Sequence, residues 1–301
     1  MVDRVSEKLL ASLVSHGFDV CYKPGALRED VLNIVENYDV LIFRGRLRID
    51  KEIIDRGVNL KVLARYGIGL DNVDIEYAIR KGIAVVNAPS ASVISVAELT
   101  IALMLIVYRK LYDAIDDVKH GKWLKGKYIG RELYGKKLGI IGFGKIGSRV
   151  AYYAKSFGMN IMAYDIRDVS SEISRVGGIQ VDLDKLLSEA DVVSIHVPLT
   201  PLTWHMINDK TLSLMQNESI LINTSRGEVI DTNALLNHID RLGGVALDVL
   251  EQEPPRDENL WKLIKHPKVV VTPHIGAETV EAMDRIAEEI VKNILEAVKW
   301  L

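Results

Sequence analysis

Hydrophobic positions in the first half of the chain follow two alternating patterns. Short apolar runs, typical of buried strands, occupy residues 18–22, 39–43, 60–65 and 83–87. Between them, apolar side chains recur at helical spacing over residues 6–16, 28–37, 51–56 and 75–81. Strands that alternate with helices build βαβ units around a parallel sheet. This half is therefore predicted to form a small α/β domain of its own.

The same alternation returns in the second half. Apolar strands are predicted at residues 138–141, 160–164, 192–196, 219–223, 245–248 and 269–271, with helices between most of them. This pattern predicts a six-stranded, doubly wound parallel sheet. Residues 96–108 are predicted to form a helix that is apolar nearly all round, so it must be buried on several faces. The amphipathic segment 278–301 is expected to pack back on the first domain, which gives domains of 1–94 with 282–301, and of 95–281.

Composition and charge exclude several classes of protein. The 301 residues are 48% hydrophobic and 26% charged, with a net charge of −3 that offers no basic field for nucleic acid. Cys21 is the single cysteine, so neither an internal disulfide nor a cysteine-based metal cluster can form. The N-terminus lacks a signal-peptide core, and the apolar stretch 99–107 is too short to cross a bilayer. A cytoplasmic protein without a membrane, nucleic-acid or metal partner is predicted.

A glycine-rich turn follows the first strand of the second half. Gly142, Gly144 and Gly147 stand between a strand and a helix start, together with Phe143, Lys145 and Ile146. In a dinucleotide site the first glycine permits a tight turn, the second lets backbone approach the pyrophosphate, and the third allows close helix packing. The N–H groups at the helix start then face the anion. The alternative is a glycine turn that serves only helix–strand packing.

An acidic residue lies where such a site needs one. Asp165 follows Tyr164 at the end of the next predicted strand. A carboxylate there accepts hydrogen bonds from the ribose hydroxyls and repels a 2′-phosphate, which favours NAD over NADP. Arg167 keeps NADP open as an alternative.

Three charged residues, each just after a predicted strand, suggest catalysis. They are Arg226, Glu253 and His274. Because open α/β sheets bind ligands beyond the carboxyl ends of their strands, all three could reach one crevice. A histidine can remove a hydroxyl proton, a carboxylate favours the imidazolium, and a guanidinium grips a substrate carboxylate. Taken singly, each residue could also be an ordinary loop or surface group.

The order of these motifs resembles the D-isomer-specific 2-hydroxyacid dehydrogenase family over nearly the whole chain. The further segments that carry the resemblance are 196–200, 224–227, 247–249, 253–255 and 273–276. The resemblance implies two doubly wound parallel-sheet domains, a Rossmann NAD-binding domain and a smaller flavodoxin-like substrate domain. It implies that Arg226 binds the substrate, Glu253 tunes the histidine and His274 is the acid/base. It also implies cofactor contacts from Asp248 at the carboxamide, from His196, Val197, Pro198 and Thr203 on the adenine and ribose side, and from Thr224, Ser225 and Gly276.

Within the family, segments 66–74, 95–99, 121–123, 253–257 and 273–279 resemble the members that oxidise 3-phosphoglycerate. A phosphorylated substrate calls for extra cations, and Arg44 and Arg65 each follow a strand of the first domain, with Gly45, Gly67 and Ile68 beside them. Lys125 or Lys127 of a neighbouring subunit could add to them. The alternative is that these arginines are exposed loop residues. Residues 119–128 are either a solvated loop or an arm gripping a second subunit, and a homodimer through the NAD-binding domain is expected.

Three departures from the family pattern qualify this interpretation. Val2-Asp3 is too short for the opening strand, so the start is truncated or the first sheet has lost a strand. Serines occupy residues 90 and 92, where phosphoglycerate enzymes often carry Asn-Gly-Asn. The chain stops after its last helix, where longer members continue into a serine-sensing domain. The alternatives are a glyoxylate or hydroxypyruvate reductase of the same family and, in another class, an NAD-sensing transcriptional corepressor.

Overall fold

The computed structural model describes residues 1–299, which form two compact units. The first unit comprises Met1–Ser92 and the segment from Ala277, and the second comprises Val93–Gly276. The strands are β1 Val40–Phe43, β2 Val62–Arg65, β3 Ala84–Val86, β4 Lys137–Ile141, β5 Asn160–Tyr164, β6 Ile179–Gln180, β7 Val192–Ile195, β8 Ile220–Asn223, β9 Gly244–Leu247 and β10 Val269–Val271. The α-helices are α1 Glu7–Ser15, α2 Arg28–Ile34, α3 Lys51–Arg56, α4 Ile75–Arg80, α5 Val93–Tyr108, α6 Leu111–Lys119, α7 Lys145–Ser156, α8 Ser170–Ser174, α9 Leu183–Glu189, α10 Asp209–Leu214, α11 Thr232–His238, α12 Glu258–Ile264 and α13 Val280–Lys299.

The first unit is a three-stranded parallel sheet, in the order β1-β2-β3, with helices on both faces. Alternate residues of a strand point to opposite faces. Accordingly Leu41 and Phe43 join the core formed with α2, α3 and α4, while Ile42 joins the core formed with α1 and α13. Helix α13 packs on α1, β2 and β3 of this unit. The last two residues of the predicted segment 278–301 lie outside the described range.

The strand predicted at residues 18–22 is wrong. Met1 and Val2 lie between this segment and β1: the Met1 ammonium donates to Cys21 O at 2.7 Å, and Lys23 N–H donates to Met1 O at 2.9 Å. Val2 N–H in turn donates to Ile42 O on β1 at 3.1 Å. Met1 and Val2 are too few residues to form a strand ladder with either neighbour. Residues 18–22 therefore pack on the core without regular strand pairing.

The second unit is a doubly wound sheet of seven parallel strands in the order β10-β9-β8-β7-β4-β5-β6, which confirms the predicted fold class. The predicted count of six is wrong because β6 was missed. That strand has only two residues, too few for a periodic signal. The strand order reverses between β4 and β7, and in open α/β sheets a ligand crevice lies at such a switch point.

Helices α5 and α6 follow one another in sequence but differ in burial. Helix α5 packs on α7, β8 and β9, in agreement with its all-round apolar pattern. Helix α6, which was not predicted, has no buried residue and leaves Leu111, Ile115 and Val118 exposed.

Within residues 1–299 no helix is both long enough and apolar enough to span a membrane.

Candidate active site

The glycine turn between β4 and α7 has the shape that a pyrophosphate site needs. Gly142 has φ +92°, and a side chain there would meet His196 O at 2.7 Å. A side chain at Gly147 would overlap the carbonyl oxygen of Gly142, so this glycine lets the helix pack on the turn. Gly144, at the N-cap of α7, faces open space within 4 Å of its missing Cβ. The backbone between Phe143 and Ile146 is therefore open to an anion at a helix N-terminus.

Asp165 holds this turn from the neighbouring strand. Its Oδ2 accepts the Phe143 N–H at 2.9 Å, and its Oδ1 accepts the Arg167 N–H at 3.0 Å. Burial opposes ionisation, but these hydrogen bonds and the Arg167 side chain outweigh it and lower the pKa of Asp165. The Arg167 Nε lies 3.4 Å from Oδ1 of Asp165. A carboxylate whose ionised form is favoured thus stands at the end of β5, just after Tyr164, at the position of the acidic residue in NAD-binding Rossmann folds.

The loop after β7 carries the residues predicted on the adenine side. His196 donates its backbone N–H to Ile141 O at 2.7 Å, and its Nε2 lies 2.8 Å from Ser194 Oγ. Burial lowers the pKa of His196 to about 3, so the ring is neutral, and its Nδ1 has no partner among the described residues. The Thr203 hydroxyl is used within the loop, donating to Pro198 O at 2.6 Å. Val197 and Pro198 lie beside His196, with Val197 packed next to Gly142.

Arg226 is placed by a compact turn after β8. The Asn223 side chain accepts hydrogen bonds from the Ser225 N–H and hydroxyl, and its Nδ2 donates to Arg226 O at 2.8 Å. The Arg226 guanidinium donates to Ser225 O at 2.6 Å. Thr224 is buried, with its hydroxyl 3.0 Å from that of Thr100 on α5. These bonds fix the backbone from which the guanidinium projects.

His274 and Glu253 form a direct pair. The His274 Nδ1 lies 2.7 Å from Glu253 Oε2, and Glu253 Oε1 accepts the Leu250 N–H at 3.0 Å. Burial opposes ionisation of Glu253, but His274, the Leu250 N–H and the charge of Arg226 together lower its pKa below the usual value. Because Nδ1 is engaged by the carboxylate, the other ring nitrogen, Nε2, is left to exchange a proton. The structure therefore brings the three predicted catalytic side chains together within the second unit.

Asp248 positions the loop that bears His274. Its Oδ1 accepts the Thr272 hydroxyl at 2.6 Å and the Ile275 N–H at 2.9 Å, and its Oδ2 accepts the Gly276 N–H at 2.8 Å. Burial raises the pKa of Asp248, against these hydrogen bonds. His274 itself adopts φ +55°, an uncommon conformation for a non-glycine residue, with its N–H donated to Asp248 O. The backbone of residues 272–276 is thus clamped onto the end of β9.

In the first unit, Arg44 directly follows β1, whereas Arg65, predicted to follow a strand, is the last residue of β2 and stands opposite Phe43. The Arg65 guanidinium donates to Tyr66 O at 2.7 Å and to Gly69 O at 3.1 Å. Side chains added at Gly45 or Gly67 would press on that guanidinium, at 3.3 and 3.0 Å. The Ile68 carbonyl accepts the Asn87 amide at 2.6 Å. The Arg44 guanidinium is paired with Glu278.

Two residues of the second unit were missed as parts of the site. Gly227 packs so closely on the backbone of Leu250 and Glu251 that a side chain there would overlap it. Asn223 orders the turn that carries Arg226. The signal for both was present in the sequence, since a glycine directly after a candidate guanidinium and an amide at a strand end each mark a constrained turn.

Three features define the class of this protein: the glycine turn at the switch point, Asp165 at the end of β5, and the His274–Glu253 pair. Together they indicate a Rossmann-type NAD-binding protein with the side chains of an oxidoreductase. Residues 101–276 match the family described as D-isomer specific 2-hydroxyacid dehydrogenase, NAD binding domain. The chain belongs to the D-isomer-specific 2-hydroxyacid dehydrogenase family, and its second unit contains the NAD-binding domain.

The proteins similar to this chain have different activities within the family. A hydroxypyruvate reductase of Thermotoga maritima is 44% identical over 89% of this chain and 88% of its own length. A D-3-phosphoglycerate dehydrogenase of Methanocaldococcus jannaschii is 42% identical over 90% of this chain but only 52% of its own length. The structure of D-lactate dehydrogenase from Aquifex aeolicus, complexed with NAD and lactic acid, aligns with a TM-score of 0.86 and 32% identity over 98% of this chain and 94% of that one. The chain therefore spans about half the length of the phosphoglycerate relative.

Proposed function

We propose that this protein oxidises a D-2-hydroxy acid to a 2-oxo acid with NAD, and that its substrate is 3-phosphoglycerate. The product would be 3-phosphohydroxypyruvate, in the first step of serine biosynthesis. The observation that carries the reaction class is the His274–Glu253 hydrogen bond beside Arg226, in the same unit as the glycine turn. The phosphorylated substrate is supported by the Methanocaldococcus relative and by the resemblance carried by residues 66–74, 95–99, 121–123, 253–257 and 273–279.

The residues divide the chemistry among them. The chemistry that NAD would supply here is acceptance of a hydride from C2 of the substrate. Nε2 of His274 takes the proton from the C2 hydroxyl, and the carboxylate of Glu253 stabilises the imidazolium that results. Arg226 grips the substrate carboxylate through paired hydrogen bonds and polarises the developing carbonyl. Gly142 to Gly147 would hold the pyrophosphate and Asp165 the adenosine ribose.

The further assignments belong to the same proposal. The first unit serves as the substrate-binding domain and the second as the NAD-binding domain. Arg44 and Arg65 contact the substrate phosphate. Lys127 is engaged by Asp117 at 2.8 Å within its own chain, which leaves Lys125 as the better candidate for a contribution from a second subunit. We also propose a homodimer through the NAD-binding domain and a cytoplasmic location.

A second candidate is the reduction of hydroxypyruvate or glyoxylate. The Thermotoga relative favours it, because its match covers nearly the full length of both chains. The pairing of Arg44 with Glu278 points the same way, since it reduces the positive charge available to a phosphate.

One assay separates these candidates. NADH oxidation is followed with phosphohydroxypyruvate, hydroxypyruvate and glyoxylate side by side, for the wild type and for His274→Ala. We expect the highest kcat/KM with phosphohydroxypyruvate, and we expect His274→Ala to lower turnover by about a hundredfold or more, because a general acid is lost, with little change in NAD affinity. A clear preference for the unphosphorylated acids would reject 3-phosphoglycerate. Turnover with none of the three would favour the corepressor.

A further inference from the structure

The two cations assigned to the substrate phosphate already have partners inside the first unit. The Arg65 guanidinium donates to two backbone carbonyls. The Arg44 guanidinium forms an ion pair with the carboxylate of Glu278, and the two side chains are 29% and 38% exposed. At this partial burial the pair is only partly screened by water. An incoming phosphate therefore meets a guanidinium whose charge a carboxylate already balances.

Arg44 is held in this position by contacts on several sides. Its backbone N–H donates to Oδ2 of the buried Asp3 at 2.8 Å, and its carbonyl accepts the Asn72 amide at 3.0 Å. Its guanidinium carbon lies 5.9 Å from the centre of the Tyr66 ring, within the range of a cation–π contact. The guanidinium is thus part of a built arrangement and not a freely moving surface group.

The Tyr66 side chain also contacts the helix that begins just after Glu278. The Tyr66 hydroxyl donates to Met283 O at 2.8 Å, which ties the ring to the first turns of α13. Glu278 lies two residues before that helix begins. The same aromatic side chain therefore contacts Arg44 and anchors the helix whose approach carries Glu278.

We propose that Glu278 is a specificity-determining residue that competes with a substrate phosphate for Arg44. This inference rests on the proposed function. It adds a residue that sets the enzyme's preference between phosphorylated and unphosphorylated acids. A phosphate must either displace the Glu278 carboxylate from Arg44 or bind beside it. In the second case the negative charges of the phosphate and the carboxylate repel each other. A 2-oxo acid without a phosphate offers only its carboxylate, assigned to Arg226, so Glu278 does not oppose it. Glu278 lowers the preference for phosphorylated over unphosphorylated acids.

The substitution Glu278→Gln tests this, because it removes the charge and keeps the size. With NADH, we expect the ratio of kcat/KM for phosphohydroxypyruvate to that for hydroxypyruvate to rise about fivefold, as loss of a partly screened charge pair would allow. The matched control is Glu281→Gln, which removes the same charge from an exposed position in the first turn of α13. An unchanged ratio, or an equal gain with both substrates, would overturn the proposal.

A binding measurement decides the question even if the protein turns over neither acid. Inorganic phosphate is titrated into the wild type, Glu278→Gln and the double variant Arg44→Gln/Glu278→Gln, with the arginine side-chain NMR signals as the readout. Tighter phosphate binding in Glu278→Gln that disappears in the double variant supports the competition. Equal binding by wild type and Glu278→Gln contradicts it. Absent turnover with tighter phosphate binding would reject the proposed function and leave the role of Glu278 standing.

Discussion

At the scale of single residues, the His274–Glu253 pair predicts a specific pH dependence. The lowered pKa of Glu253 keeps its carboxylate charged at neutral pH, where it favours the imidazolium needed to protonate a 2-oxo acid. Glu253→Gln removes that charge, so the basic limb of the pH profile for reduction should move to lower pH by roughly one unit. The profile of kcat/KM between pH 5 and pH 10 measures this.

The control is Glu258→Gln, which removes an exposed carboxylate at the start of α12 and should leave the profile unmoved. The same lowered pKa has a consequence for stability. A carboxyl group whose pKa is depressed in the folded protein stabilises it above the pKa of the unfolded chain, and this contribution is lost as the pH falls through the folded pKa. For the pH profile of reduction, a Glu253→Gln variant with lower activity but an unmoved basic limb would show that Glu253 does not act through His274.

Individual residues also mark how far the site could be predicted. The glycine spacing could be recognised because it lies within six consecutive residues, and Asp165 because it directly follows the next predicted strand. The contact of Asp248 with the cofactor stays a prediction, but the three hydrogen bonds that its oxygens accept from residues 272–276 were not foreseen. Which loop meets a buried carboxylate depends on the tertiary path of the chain, and no local pattern encodes that. The pairing of Arg44 with Glu278, far apart along the chain, was missed for the same reason.

At the scale of elements, every strand of three or more residues was predicted, whereas the two-residue strand β6 and the exposed helix α6 were missed. Strand β6 has two residues, and α6 buries none of its side chains, so neither had the periodic burial that a sequence pattern detects. The run at residues 18–22 failed for the opposite reason. It has the apolar pattern of a strand, but Met1 and Val2 lie between it and β1, and they make too few hydrogen bonds for a ladder.

The β4–α7 turn gives a prediction about an element as a whole, because its glycines serve different purposes. Gly144 faces open space, so Gly144→Ala should fold with an unchanged melting temperature but bind NAD about tenfold more weakly, since the methyl group obstructs the backbone approach to the pyrophosphate. Gly147→Ala would press on the Gly142 carbonyl and should lower the melting temperature by several degrees. Calorimetric unfolding and an NAD titration of both variants provide the test. Equal destabilisation of both would contradict the division of roles.

At the scale of the whole molecule, the exposed apolar surface of α6 bears on assembly. Leu111, Ile115 and Val118 recur at helical spacing on one face and are 36%, 54% and 51% exposed, and Trp123 beyond the helix is 82% exposed. The segment after α6 is ordered by Asp117, which pairs with Lys122 and Lys127 and accepts a hydrogen bond from Tyr128. An ordered segment with a contiguous apolar face is typical of a protein–protein interface. This supports the homodimer and favours the arm over a solvated loop for residues 119–128.

A single charge on this face should therefore change the oligomeric state. Ile115→Lys places an ammonium group in the middle of the apolar face, where burial in an interface would cost several kcal/mol without a partner. We expect a dimer for the wild type and a monomer for Ile115→Lys by light scattering after size exclusion. The control is Ile79→Lys on α4, an isoleucine with 64% exposure in the first unit, which should remain a dimer. A dimeric Ile115→Lys variant would place the interface elsewhere, and a monomeric wild type would reject the homodimer itself.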